Sequence, residues 1–216
     1  TTDDKDWQSL SGITLEAGLS FFKGGRKKKE VQDSFLFTHF GFSGPAALDI
    51  SRHYALCPPE EKPEIFASFV PRETEETLRA FFESKEGGDK TVKNRLSEKF
   101  LLPERFLEVF FEKIKQDAKR PWKRFSSTDR RRLVHALLNC PLGVNGVVGY
   151  KKAEVTAGGI EHGQINGSTM ESKKTAGLYF AGEIVDVDGR IGGFNFQWAW
   201  SSGTLAGRSA ARSFAK

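Results

Sequence analysis

The sequence predicts an α+β protein in three sections. These are an antiparallel β-barrel or sandwich-like domain, a helical bundle inserted into it, and a C-terminal strand–loop–helix of the α/β kind. Three observations carry this. Residues 12–21 place Ile13, Leu15, Ala17, Leu19 and Phe21 on one face and Thr14, Glu16, Gly18 and Ser20 on the other, the period-two pattern of a half-buried strand. The middle of the chain switches to helical spacing, as in Phe106, Leu107, Phe110, Phe111 and Ile114, which makes one apolar stripe on a 3.6-residue period. Near the end, Leu178 to Ala181 is short and apolar, as expected of a parallel strand covered on both faces.

The first β section spans 1–57. The chain opens on Thr1-Thr2-Asp3-Asp4-Lys5 and is read as passing straight into the strand pattern. Gly24-Gly25 makes a hairpin tip and Glu30 to Phe37 returns as a second strand. Ser43-Gly44-Pro45 starts a short helix ending near Arg52, with Pro45 at the first helical position, where its missing N–H costs nothing. The inserted helical domain spans 58–139. Glu64 to Val70 reads as a short extended stretch, and Leu78, Phe81 and Phe82, then Val92, Leu96 and Phe100, follow at helical spacing. Ser126-Ser127-Thr128-Asp129 has capping-box form ahead of Leu133, Val134, Leu137 and Leu138. The phenylalanines of this bundle read as core.

Residues 140–175 are expected to return to the β domain. Lys151 to Ile160 and the Asn166-Gly167 turn read as strands and a hairpin completing the first sheet. Residues 176–216 form the closing segment, with a final helix from about Phe196 to Phe214. Its Gly203, Ala206, Gly207, Ala210 and Ala211 suit close packing on a sheet; it is too polar for a membrane dimer helix.

At 38% hydrophobic and 28% charged residues, the 216-residue chain has an ordinary globular composition. No apolar run approaches the roughly 20 residues of a membrane helix. Cys57 and Cys140 are the two cysteines, which fits reduced thiols in a cytoplasmic setting. His39, His53, His135 and His162 are scattered, without a cysteine pair, so no metal set is expected. Asp186-Val187-Asp188-Gly189 lacks the downstream acids of a calcium loop. Gly41-Phe42-Ser43-Gly44-Pro45 is not a nucleophile elbow. The net charge is +5, with basic clusters at Arg26 to Lys29, Lys119 to Arg124 and Arg130 to Arg132. A nucleic-acid surface is one reading of them. Aromatics are not interleaved with the charges, as base stacking requires, so a solvated face, or one meeting a cofactor phosphate or another domain, is preferred.

The chemistry concentrates at the C-terminus. Gly182-Glu183 ends the Leu178–Ala181 strand and offers a carboxylate to a hydroxyl; Gly189, Gly192 and Gly193 let backbone approach a flat ligand; and the helix after Asn195 aims free N–H groups at that loop. This order builds a nucleotide-cofactor site. No G-x-G-x-x-G occurs, since Gly143, Gly146 and Gly149 have the wrong spacing.

Four stretches, in order, carry a resemblance: Phe37-Thr38-His39-Phe40-Gly41-Phe42-Ser43-Gly44-Pro45-Ala46, Val155-Thr156-Ala157-Gly158-Gly159-Ile160, Asn166-Gly167-Ser168-Thr169-Met170-Glu171-Ser172-Lys173, and Gly177 to Gly203. Together they resemble the BaiN-like, or aminoacetone oxidase-like, NAD(P)/FAD-dependent flavoproteins, across roughly the whole chain. The resemblance implies that the closing strand–loop–helix belongs to an FAD-binding α/β domain. It also implies that the chain is the C-terminal half of a longer oxidoreductase, with an N-terminal dinucleotide-binding domain as its missing partner. FAD contacts are then expected at Gly182, Glu183, Gly192, Gly193, Phe194 and Asn195, and at Thr156, Gly158 and Gly159. His39 is the candidate acid or base, imidazole being the side chain that titrates near neutrality. NAD(P)H and a small-molecule substrate are the implied partners, with the substrate and the oligomeric state left open. Alone, the chain is expected to bind FAD weakly or not at all and to be inactive. The rival reading is a non-catalytic interaction module with a basic surface for nucleic acid or another anionic partner.

Overall fold

The structure is a computed structural model that describes residues 1–84 and 89–214. It divides into two compact units, Thr1–Val147 and Val148–Lys216.

The first unit is built on a five-stranded antiparallel sheet. Its strands are β1 (Thr14–Lys23), β2 (Arg26–Thr38), β3 (Gly41–Ser43), β4 (Glu64–Ser68) and β5 (Cys140–Pro141), in the order β3-β2-β1-β4-β5. The alternation read from the sequence is what is buried: Leu15, Ala17, Leu19 and Phe21 face the core from β1. Gly24 and Gly25 turn the β1–β2 hairpin with φ of 55° and 72°. That left-handed pair matches the twist of the strands it joins and costs glycine nothing. A bulge between Phe21 and Phe22 lies just before this turn.

Helix α1 (Lys5–Ser9) precedes the first strand, where the sequence was read as entering β-structure directly. Five residues are too few to show a helical period. The signal present was Asp4, whose carboxylate accepts from the N–H groups of Asp6 and Trp7 as an N-cap. Helix α2 (Gly44–Ala55) starts with Pro45 in its first turn, as expected.

Four helices form the bundle: α3 (Glu75–Glu83), α4 (Val92–Phe100), α5 (Glu104–Lys113) and α6 (Ser127–Leu138). Thr74, Thr91 and Ser126 cap α3, α4 and α6 through their hydroxyls. Ser126 is an N-cap, Asp129 N–H donating to Ser126 Oγ at 3.1 Å and the Ser126 hydroxyl donating to the Asp129 carboxylate at 2.7 Å, while the full reciprocal capping box stands at Thr74 and Thr77 of α3. Phe106, Leu107, Phe110 and Phe111 of α5 are all buried. Each such side chain contributes about 1.5–3 kcal/mol by leaving water. Phe69 after β4 meets Phe106 with ring centroids 4.7 Å apart, and Trp7 meets Phe37 at 5.6 Å. Sheet, α1 and α5 therefore share one aromatic core. Thr2 bridges Val144, and the Thr1 amino group donates to the Gly146 carbonyl at 2.6 Å, which ties both ends of the unit together. Cys57 and Cys140 are free thiols, Cys140 buried.

The return of residues 140–175 to the sheet is confined to β5. Lys151–Ile160 does not form strands: Tyr150–Lys152 is a 3₁₀ turn, and Gly158 and Gly159 take φ of 93° and 137°. Those angles break an extended run. The second unit contains few paired residues, Ile160 with Val185, Ile165 with Ser172 across the Asn166-Gly167 turn, and Glu171 with Tyr179. The expected buried strand at Leu178–Ala181 is reduced to the Tyr179 bridge, and Leu178 is 42% exposed. An apolar strand needs neighbours on both edges, and none of the described residues supplies a parallel one. The unit closes with helix α7 (Phe194–Phe214), two residues longer at its start than expected.

Candidate functional site

The second unit gathers most of the residues singled out from the sequence. The segment holding Thr156, Gly158 and Gly159 lies against Gly182–Asp186. Thr156 N–H donates to the Glu183 carboxylate at 2.6 Å, and Gly158 N–H donates to the Asp186 carboxylate at 2.9 Å. Ile160 N–H reaches the Ile184 carbonyl at 2.9 Å, and Asp186 N–H returns to the Ile160 carbonyl at 3.0 Å. A Cβ on Gly159 would sit 2.4 Å from the Ile184 carbonyl oxygen. Only glycine fits there, and what it admits is the protein's own backbone. Glu183 and Asp186 thus use carboxylate oxygens to lock two loops together.

Helix α7 holds the other side of the loop. Gly182 donates its N–H to Ser202 Oγ at 2.9 Å, and its carbonyl accepts from the Trp198 indole at 3.0 Å. Ser202 is buried and also donates to the Trp198 carbonyl at 2.6 Å. Asn195 spends both ends of its amide on Gly189, accepting from its N–H at 2.7 Å and donating to its carbonyl at 3.1 Å. The Arg190 guanidinium lies 4.8 Å from the centre of the Phe194 ring. A ring of hydrogen bonds therefore shapes the 182–195 loop before any ligand arrives.

The backbone meets the needs of a flat, electron-rich ligand at one place. Gly193 has φ of 83°, and a Cβ there would meet nothing within 4 Å. It immediately precedes α7, whose first N–H groups have no intrahelical acceptor. Open backbone beside a helix N-terminus suits the edge of a ring that gains negative charge on reduction. Gly192 lies next to it under the Phe194 ring. The residues present fit the flavin expected from the sequence. Gly193 leaves its backbone open beside the start of α7, while Asn195, Glu183 and Asp186 hold the loops.

Beneath the loops an apolar cavity of about 350 Å³ is lined by His162, Ile165, Met170, Val185, Trp198, Ser202 and Leu205, among others. Trp198 and Ser202 join this lining although no motif marks them in the sequence. They lie 16 and 20 residues beyond the Gly182 they clamp. Their only signal was a hydroxyl and an indole on the face of α7 that also carries Ala206.

His39 lies in the first unit, exposed in the turn between β2 and β3, edge-on to Phe40 at 5.0 Å. Among the described residues no hydrogen-bond partner orients its imidazole. No group of three or more potential metal ligands occurs among the described residues. Among the described residues no helix is long and apolar enough to cross a membrane.

The first unit is a β-sheet domain carrying a helical bundle, and the second is a set of glycine loops clamped on a long helix. Residues 1–155 match the family described as HI0933-like protein barrel and H2TH domain, and the chain belongs to that family. It is 38% identical over 212 residues to a ribosomal RNA dihydrouridine synthase of Haemophilus influenzae, covering 97% of this chain and 49% of that protein. A protein of the same name from Escherichia coli is 33% identical, covering 92% of this chain and 46% of its own length. A 3-dehydro-bile acid delta(4,6)-reductase of Clostridium scindens is 32% identical, covering 93% of this chain and 49% of its own. The chain spans about half the length of the curated relatives it matches.

Proposed function

We propose that this chain is the C-terminal part of an FAD-dependent reductase that saturates the carbon–carbon double bond of a uridine in ribosomal RNA. The observation that carries the reading is the similarity, over 97% and 92% of the chain, to two proteins with that activity in their name. The bile-acid reductase fits the same chemistry, because a 3-keto-4,6-diene and a uracil ring both present an alkene conjugated to a carbonyl. Two relatives named for RNA give nucleic acid a weight that the charge clusters alone did not.

When bound and reduced, with NAD(P)H as the expected source of its electrons, the flavin would supply the hydride for that reduction. The chain's own contribution is orientation and electrostatics. Gly192 and Gly193, with the start of α7, would hold the flavin ring edge, and Glu183 and Asp186 would keep the Thr156–Gly159 loop in register. His39 is proposed as an acid or base only. The phosphate end of the cofactor would need a dinucleotide-binding segment that these residues do not contain, which is why FAD binding by the chain alone is expected to be weak. The exposed face of α7, with Phe196, Trp200 and Phe214 at 76%, 75% and 89% exposure, is the surface proposed to meet that segment.

The test is mass spectrometry of nucleosides from ribosomal RNA of cells with and without the gene. Loss of dihydrouridine, restored by the full-length protein but not by a Gly193→Val variant, is the expected result. Unchanged dihydrouridine would exclude this substrate and leave a small conjugated ketone as the reading to pursue.

A further inference from the structure

Two basic stretches that are separate in sequence become one surface in the bundle. Residues 115–132 hold eight lysines and arginines against two carboxylates, Asp117 and Asp129, so this short segment alone is more positive than the +5 of the whole chain. Asp129, in the first turn of α6, is the residue that folds the segment together. Its carboxylate pairs with Arg120 at 2.7 Å and its carbonyl accepts from the Gln116 side chain at 3.1 Å. The loop carrying Lys119 to Arg124 is thereby laid against the start of the helix carrying Arg130 to Arg132. Lys123 is neutralised by Asp89.

Six cations remain with no ion pair among the described residues: Lys115, Lys119, Arg124, Arg130, Arg131 and Arg132. All are exposed except the half-buried Arg130. The neighbouring helix behaves differently. On the α4 side, Lys90 pairs with Glu98, and Lys93 with Glu104 and Glu108. Arginines in the second turn of a helix also stand toward the positive end of its dipole, where cations gain nothing. Folding does not call for this accumulation, and an external polyanion would relieve it.

The surface lacks the means to read bases. Trp122 and Phe125, the aromatics within it, are buried, so no ring is offered for stacking. Phosphate contacts of this kind position a nucleic acid without reading its sequence. We infer that the Lys119–Arg132 end of α6 is a docking surface for the phosphate backbone of folded RNA, holding the substrate while another part of the enzyme selects the base. The identity of the polyanion rests on the RNA reading above.

The experiment is fluorescence anisotropy of an RNA hairpin with this 216-residue chain, from about 50 to 200 mM salt, the range over which phosphate contacts weaken steeply. Compared with it are Arg131→Gln/Arg132→Gln, Lys119→Gln/Arg124→Gln, and Arg26→Gln/Lys28→Gln/Lys29→Gln on the β1–β2 hairpin, each checked by circular dichroism. Each of the first two is expected to weaken binding roughly tenfold and to lower the log–log salt slope by about 2, one unit for each phosphate no longer neutralised. The hairpin variant is expected to change neither. Binding that survives both α6-end variants, or that is abolished equally in the hairpin variant, overturns the proposal. So does absence of RNA binding at the lowest salt, or equal binding to phosphatidylserine vesicles. Unchanged dihydrouridine in cells together with the expected loss of slope would sink the reaction while leaving the surface standing; the reverse pattern would sink the surface alone.

Discussion

The two units bury their side chains in different ways. The first has a continuous aromatic and aliphatic core running from Trp7 through the sheet to Phe106 and Leu137. In the second, the buried cluster is Ile165, Met170, Val185 and Ala206, and the described part of its 21-residue helix buries only Ser202 and Ala206. Hydrogen bonds take over where apolar burial is thin: Gly182, Thr156 and Gly158 are each held by a side chain 20 to 28 residues away, and Gly189 by Asn195. A unit held this way keeps its loops in shape for a ligand, but it draws little stability from its own core.

That contrast can be broken by mutation. Phe106→Ala removes a fully buried ring from the first unit and should cost about 3–5 kcal/mol, seen as a large fall in denaturation midpoint. A loss under about 1 kcal/mol would mean that the aromatic core is not continuous.

The next effect depends on pH. Burial pushes the Cys140 thiol from 9.0 up to about 12. An acid whose folded pKa is raised keeps its full stability below the unfolded value and loses it as pH rises, because the unfolded chain gives up the proton first. Stability of the first unit should therefore fall by about 1.4 kcal/mol per pH unit between about pH 9 and 12. Cys140→Ala should flatten that limb of the curve in urea titrations.

Smaller effects sharpen the difference between the units. Ser202→Ala leaves the Gly182 N–H without its acceptor and should cost about 1–3 kcal/mol. The loss should appear as faster amide exchange within 178–205 and leave the exchange of β1 and β2 unchanged. Ser126→Ala removes the cap of α6 and should cost about 1 kcal/mol in the first unit alone. Exchange changes that cross from one unit to the other in either variant would show that the units are not separate in stability.

Legibility in the sequence followed the same division. Strand β1 was readable because one face of it is buried, and period-two alternation is the direct consequence. The bundle helices were readable from their stripes and from Ser126 through Asp129. Helix α1 was hidden by its length. The second unit was misread as sheet because Leu178–Ala181 has a strand's composition without a strand's neighbours, and because glycines at positive φ end the extended run before Ile160. Its glycine motifs were readable, but the hydrogen bonds that hold its loops were not. Nothing local to Glu183 or Asn195 says that its side chain holds a backbone loop, since the partners lie 27 and 6 residues away.

The assignment of a flavin to the second unit is tested most directly by hydrogen–deuterium exchange of the full-length protein with and without FAD. Slowed exchange at 154–160 and 182–200, with β1, β2 and α6 unchanged, is the expected result. Protection confined to the sheet and bundle, with 182–200 exchanging as fast as before, would contradict it.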